Sequence, residues 1–272
     1  MTAQRLLSGH DAGRWAEGAA NARSVNFDRF GSPQGVMAAM YPYMFQDTEF
    51  LYDSFNGFEL DSNRWHSDAT KGIDPWSVDS GTCYSTTGGD EYALSLYGTE
   101  MWKPSKNAGV EFRWKLDVIS GIQLEMGLAQ IRSGNMFLPV ISDIDTPAAV
   151  SGNDGIFLHR DTDQTLTTSA LAVSTNSAAT VTKVNVATFA PTADNWYTTR
   201  IQTVFNGSAG YDALLFVFDT NSSRMTLVAS GRQSLNSATS ATGTYRPWFY
   251  ARQRNSTDKL VSIDYAACWM DR

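Results

Sequence analysis

The chain has 272 residues, 42% of them hydrophobic, and a formal net charge of −7, which allows one large domain with a real core or two small ones. Its 21 Lys and Arg are outnumbered by 28 Asp and Glu, so no cationic footprint for a nucleic-acid backbone is expected. No run approaches the ~18 apolar residues of a membrane span and the opening residues lack the apolar core of a secretory signal, which predicts a soluble chain that is not exported by the ordinary route and has no membrane partner.

Residues 1–46 show no sustained alternation and are interrupted at Gly31, Pro33, Gly35 and Pro42, with at best one short helix around Ala12 to Ala22. They nevertheless carry Trp15, Phe27, Phe30, Met40, Tyr43 and Phe45, groups that are costly to leave in water. The reading is an N-terminal arm that uses these residues to bind a partner, with a strap across its own domain as the alternative. The arm has an excess of one positive charge in an otherwise acidic chain.

From Phe50 onward the chain becomes a series of short strand patterns, and residues 47–272 are assigned to one β-sandwich domain. Strand-like pieces are predicted at Trp76 to Ser80, Cys83 to Ser85 and Tyr92 to Leu96. The clearest stretch is Gly109 to Gln130. Val110, Phe112, Trp114, Leu116 and Val118 alternate with Glu111, Arg113, Lys115 and Asp117, and after Ser120-Gly121 the row Ile122, Leu124, Met126, Leu128 alternates with Gln123, Glu125, Gly127, Ala129. This predicts a β-hairpin with one wet face, whose apolar face needs a second sheet to cover it. A long loop is expected over Arg132 to Asp154. Strands follow at Ile156 to His159, Thr165 to Val173, Thr180 to Val186, Trp196 to Phe205, Tyr211 to Asp219 and Arg224 to Ser230. A polar loop over Gln233 to Thr242 then leads to two last strands, Tyr245 to Gln253 and Leu260 to Trp269.

The opening Asp53-Ser54-Phe55-Asn56-Gly57, Arg64-Trp65 after it, the central hairpin, the strand start Asn195-Trp196-Tyr197 and the closing Val261-Ser262-Ile263-Asp264-Tyr265 together resemble concanavalin A-like lectin/glucanase jelly rolls. The pattern is particularly similar to versions of that fold found in bacteriophage virion proteins. The resemblance covers about residues 50–270 and implies an all-β fold of two curved antiparallel sheets.

Family members that hydrolyse glycans carry an acidic ladder on one strand, because alternate residues share a face and a retaining mechanism needs two carboxyl groups about 5 Å apart. Here Glu125 is followed on its face by Gly127 and Ala129, so the ladder is missing and no catalytic residue is assigned. Glu111 and Asp117, read as lying on the neighbouring strand, suit ion pairs with Arg113 and Lys115. Asp143 with Asp145 and Asp161 with Asp163 are read as solvated turn acids in preference to calcium ligands. His10, His66 and His159 are too scattered for a metal site or a catalytic base. Cys83 and Cys268 lack metal-ligand spacing and are expected as free thiols, a disulfide being the alternative. No metal or cofactor motif is found. Trp76, Trp102 and Trp248, with Tyr84 and Tyr250, are candidates for a sugar-stacking platform, although core packing is the preferred reading of each.

The expectation drawn from the resemblance, the missing ladder and the apolar arm is a non-enzymatic phage virion component. It would be a capsid decoration or cement protein, anchored through its arm to the major capsid protein or another virion protein, homotrimeric, and assembled in the host cytoplasm. A carbohydrate-binding lectin-like module or tail receptor-binding protein recognising a host glycan is the alternative, and a glycoside hydrolase is third.

Overall fold

The structure, a computed structural model, describes residues 48–55, 65–69, 76–79, 82–86, 91–96, 102–130, 154–162, 169–175, 180–186, 189–205, 210–221, 225–235, 243–254 and 259–271. The arm, with Trp15, Phe27, Phe30, Met40, Tyr43 and Phe45, lies outside them, as do Asp143, Asp145 and most of the expected 132–154 loop.

Two antiparallel sheets make up the described part of the chain. The first holds β1 (Thr48–Asp53), β3 (Trp76–Asp79), β4 (Thr82–Thr86), β6 (Gly109–Leu116), β11 (Tyr197–Phe205), β12 (Tyr211–Asp219), β13 (Thr226–Leu235) and β15 (Leu260–Asp271). The second holds β2 (Trp65–Ala69), β5 (Glu91–Leu96), β7 (Ile122–Gln130), β8 (Asp154–Asp161), β9 (Ser169–Thr175), β10 (Thr180–Val186) and β14 (Arg246–Gln253). The orders are β13-β12-β11-β6-β15-β4-β3, with β1 also on β15, and β10-β9-β8-β7-β14-β5-β2. The expected two-sheet, all-β sandwich is therefore present.

The central hairpin is not. β6 pairs with β11 and β15, whereas β7 pairs with β8 and β14 in the other sheet. The reason lies in the apolar rows. A hairpin would put both rows on one face of one sheet, where neither could cover the other. Crossing between sheets sets Val110, Phe112, Trp114 and Leu116 on one side of the core and Ile122, Leu124, Met126 and Leu128 on the other, all buried. The crossing segment is pinned: Asp117 N–H donates to Leu260 O at 3.2 Å, Asp117 Oδ1 accepts Leu260 N–H at 2.8 Å, and Gly121 takes φ 63°. That left-handed conformation suits glycine because a Cβ is disfavoured there. Between the sheets, Phe112 meets Phe249 edge-on with centroids 5.6 Å apart.

One strand runs longer than its sequence reading. β13 continues through Gln233 to Leu235, residues expected to open the polar loop, because their backbone is paired with Tyr211 to Ala213. The resemblance motif at the start of the domain has a structural basis, since Asp53 Oδ1 accepts Phe55 N–H and Oδ2 accepts the Trp65 indole N–H, both at 2.8 Å. Cys268 is a buried free thiol in β15, so it forms no disulfide with Cys83.

Candidate functional site on the outer face of the second sheet

Core-facing residues alternate with outward ones, so the registers define the outer face of the second sheet row by row. In the middle row His159 of β8 and Tyr250 of β14 flank Glu125 of β7; beside it lie Phe157, Gly127 and Trp248, and on its other side Asp161, Gln123 and Arg252. The expected wet face is instead buried: Gln123, Glu125, His159, Asp161, Trp248 and Tyr250 all have 0% exposure.

Glu125 is the centre of this group. Its Oε2 accepts the Trp248 indole N–H at 3.4 Å, and its Oε1 lies 3.4 Å from His159 Nδ1. Both distances are at the long end for hydrogen bonding. Among the described residues neither ring nitrogen of His159 has a hydrogen-bond partner within bonding geometry. Trp248 and Tyr250 are stacked nearly parallel, with centroids 6.1 Å apart and an interplanar angle of 6°.

The acidic ladder that glycan hydrolysis would need is blocked as well as missing. A Cβ at Gly127 would collide with the backbone carbonyl of Ile156, so the position next to Glu125 on its strand face is closed to a carboxylate. Asp161 is one row away, opposite Gln123, and is ion-paired with Arg254. It is a buried strand residue, not a solvated turn acid. Asp163 lies outside the described residues.

The sugar-platform residues separate. Trp102 belongs to the hydrophobic core, bridged to Tyr245 by backbone hydrogen bonds of 3.0 and 2.8 Å, so core packing is the correct reading there. Trp248 and Tyr250 share the Glu125 face. Trp76 opens β3 and Tyr84 lies in β4, but their side chains are outside the described set. Sequence reasoning missed His159, because its proximity to Glu125 exists only through the β7–β8 pairing.

Glu111 belongs to a different site. Because β6 and β7 are in different sheets, Glu111 is not beside Glu125; it sits on the outer face of the first sheet. Nor does it pair with Arg113 or Lys115 as expected. Its Oε2 accepts Arg200 Nε–H at 2.7 Å and contacts Nη2, while Oε1 accepts the Tyr265 hydroxyl at 2.6 Å. Arg200 is fully buried and its guanidinium lies 5.7 Å from the Trp269 ring centroid. Burial, with the neighbouring Glu111 carboxylate, raises the Tyr265 hydroxyl well above its ordinary pKa. Asp117 instead caps Leu260, and Arg113 pairs with Asp264 at 2.6 Å.

No family model and no curated protein matches the chain. Solved structures do. The Emp47p carbohydrate recognition domain superposes with a TM-score of 0.55 at 12% identity, covering 84% of this chain and 98% of its own. A Lotus tetragonolobus seed lectin gives 0.54 at 10% identity, with 82% and 99% covered. An endo-acting O-glycanase of the human gut microbiota gives 0.53 at 11% identity, with 82% and 98% covered. The chain therefore has the concanavalin A-like lectin/glucanase jelly-roll fold. At such identities the likeness defines the fold, and that fold carries both lectins and glycan-cleaving enzymes.

Proposed function

We propose that this chain is a non-hydrolytic carbohydrate-binding module whose ligand site is the outer face of the second sheet. The observation that carries this reading is the nearly parallel Trp248 and Tyr250 rings beside the Glu125 carboxylate, on a lectin-bearing fold. Sugar rings stack their C–H faces on aromatic planes, and their hydroxyls donate to a carboxylate. Hydrolysis by the usual routes needs a second carboxyl group about 5 to 9.5 Å away; the Gly127 position cannot supply one, and Asp161 on the next row is committed to its ion pair with Arg254. Because these side chains are fully buried, a glycan enters only after this face opens, and association is slower than for a preformed cleft. Binding to an array of host-surface polysaccharides tests the reading, with Trp248→Ala and Glu125→Gln expected to abolish the signal while melting remains cooperative. A blank array, or full binding by a folded Trp248→Ala protein, overturns it. Release of reducing ends that disappears in Glu125→Gln would make the chain a glycoside hydrolase instead.

A structural protein of a phage particle is the second reading, supported by the apolar residues of the 1–46 segment. It calls for a homotrimer anchored on the capsid by that segment, with the major capsid protein or another virion protein as partner. Mass spectrometry of purified particles and light scattering of the isolated protein test it. Absence from particles, or a monomer mass with a monomeric footprint, counts against it.

A further inference from the structure

The outer face of the first sheet carries a second constellation, far in the fold from Glu125. Tyr197 packs into the core against Trp114, with centroids 5.5 Å apart, so Trp196 before it turns to the outer face, where it is half-buried. Arg113 and Lys115 lie on that same face, two residues apart on β6. The Arg113 guanidinium carbon is 5.1 Å and the Lys115 ammonium 5.2 Å from the Trp196 ring centroid.

The two cations differ in commitment. Arg113 is held by Asp264 at 2.6 Å and by the Thr220 hydroxyl and carbonyl at 3.3 and 3.4 Å, which fixes it against the indole. Thr220 in turn is tied to the Trp196 carbonyl through its N–H at 2.9 Å and its hydroxyl at 3.1 Å. Lys115 is half-exposed, and among the described residues its partner is the Trp196 ring. Its ammonium keeps N–H donors for an incoming acceptor, next to a pinned guanidinium and an aromatic edge. In a chain of net charge −7, a cation without a carboxylate partner among the described residues, placed on a braced aromatic, is a local exception to the field.

We infer that Trp196, Lys115 and Arg113 form an anion-binding subsite for an acidic polysaccharide, the sugar packing on the indole and its sulfate or carboxylate accepting from Lys115. This goes beyond the carbohydrate site proposed on the opposite sheet and shares no residue with it.

Affinity electrophoresis of the full chain through gels containing dextran sulfate, polygalacturonate or neutral dextran tests it. At about 0.05 M salt both acidic polymers should retard the protein and neutral dextran should not, with the effect lost near about 0.5 M as the charges are screened. Comparing the two acidic polymers distinguishes sulfate from carboxylate recognition. Lys115→Ala should weaken retention roughly fivefold and Lys115→Arg should restore it. Lys115 is half-exposed, so its removal should leave the fold intact, which a thermal melt checks; Trp196→Ala is the companion variant. No retardation by either acidic polymer at low salt, or retention by Lys115→Ala equal to that of the parent, overturns the inference. Trp248→Ala should bind acidic polymers normally, so loss at one site is separable from loss at the other.

Discussion

Replacing Glu111 by Gln isolates one buried charge. Arg200 is at 0% exposure, and Glu111 meets it through Nε at 2.7 Å and through Nη2. Glutamine keeps the size of the side chain and an oxygen for the Tyr265 hydroxyl, which now binds Oε1 at 2.6 Å, so packing and that hydrogen bond survive. What is lost is the negative charge, and a guanidinium remains without its counter-charge in a buried site. Removing one partner of a buried pair costs about 3–5 kcal/mol, whereas an exposed pair is worth about 0–1 kcal/mol. Equilibrium guanidinium denaturation of both proteins gives the difference directly, provided the m-values agree. The double replacement Glu111→Leu with Arg200→Met should be less destabilising than Glu111→Gln alone, because both desolvated charges are then gone. A cost below about 1 kcal/mol for Glu111→Gln, or a double variant worse than the single one, would refute the claim that this pair is a desolvated charge couple.

Further outcomes follow from the same structure. Phe112→Ala removes the ring that meets Phe249 between the sheets and should cost about 3–5 kcal/mol, measured by chemical denaturation. Gly127→Asp should fail to create a hydrolase and should destabilise the domain by at least ~1–3 kcal/mol, since its Cβ collides with the Ile156 carbonyl; a stable variant that releases reducing ends would contradict this. Burial raises both Tyr265 and Cys268 above their ordinary values. Their unfolded counterparts lose protons near about pH 10 and 8.5 while the folded groups stay protonated, so stability is full below about pH 8.5 and falls as pH rises, by up to ~1.4 kcal/mol per pH unit for each group. Tyr265→Phe should remove the part of the decline that sets in near about pH 10, and a flat stability profile from about pH 8 to 11 would count against both assignments.

Alternation carried much of this fold in plain view. The rows Val110, Phe112, Trp114, Leu116 and Ile122, Leu124, Met126, Leu128 were legible as strand faces because side chains alternate strictly along a strand. Glu125 could be placed opposite the core, and the missing carboxylate at position 127 noticed, from spacing alone. The link between Asp53 and Trp65 was visible only as a resemblance, its hydrogen bond being a matter of three dimensions.

Pairing was not legible. A strand pattern states which face is apolar but not which neighbour shares its backbone hydrogen bonds, and Ser120-Gly121 punctuates a crossing between sheets as readily as a hairpin turn. The choice between them belongs to the whole core: only with β6 and β7 in opposite sheets do their apolar rows cover each other. That single decision removed Glu111 from the neighbourhood of Glu125 and gave it Arg200 and Tyr265. It also brought His159 and Trp248 to Glu125 from the flanking strands. The sequence by itself thus determined the clearest strands, their inward faces and the absent acidic ladder, since these depend on local spacing. The tertiary structure alone decided which polar groups meet and which are buried, because both depend on contacts between strands distant along the chain.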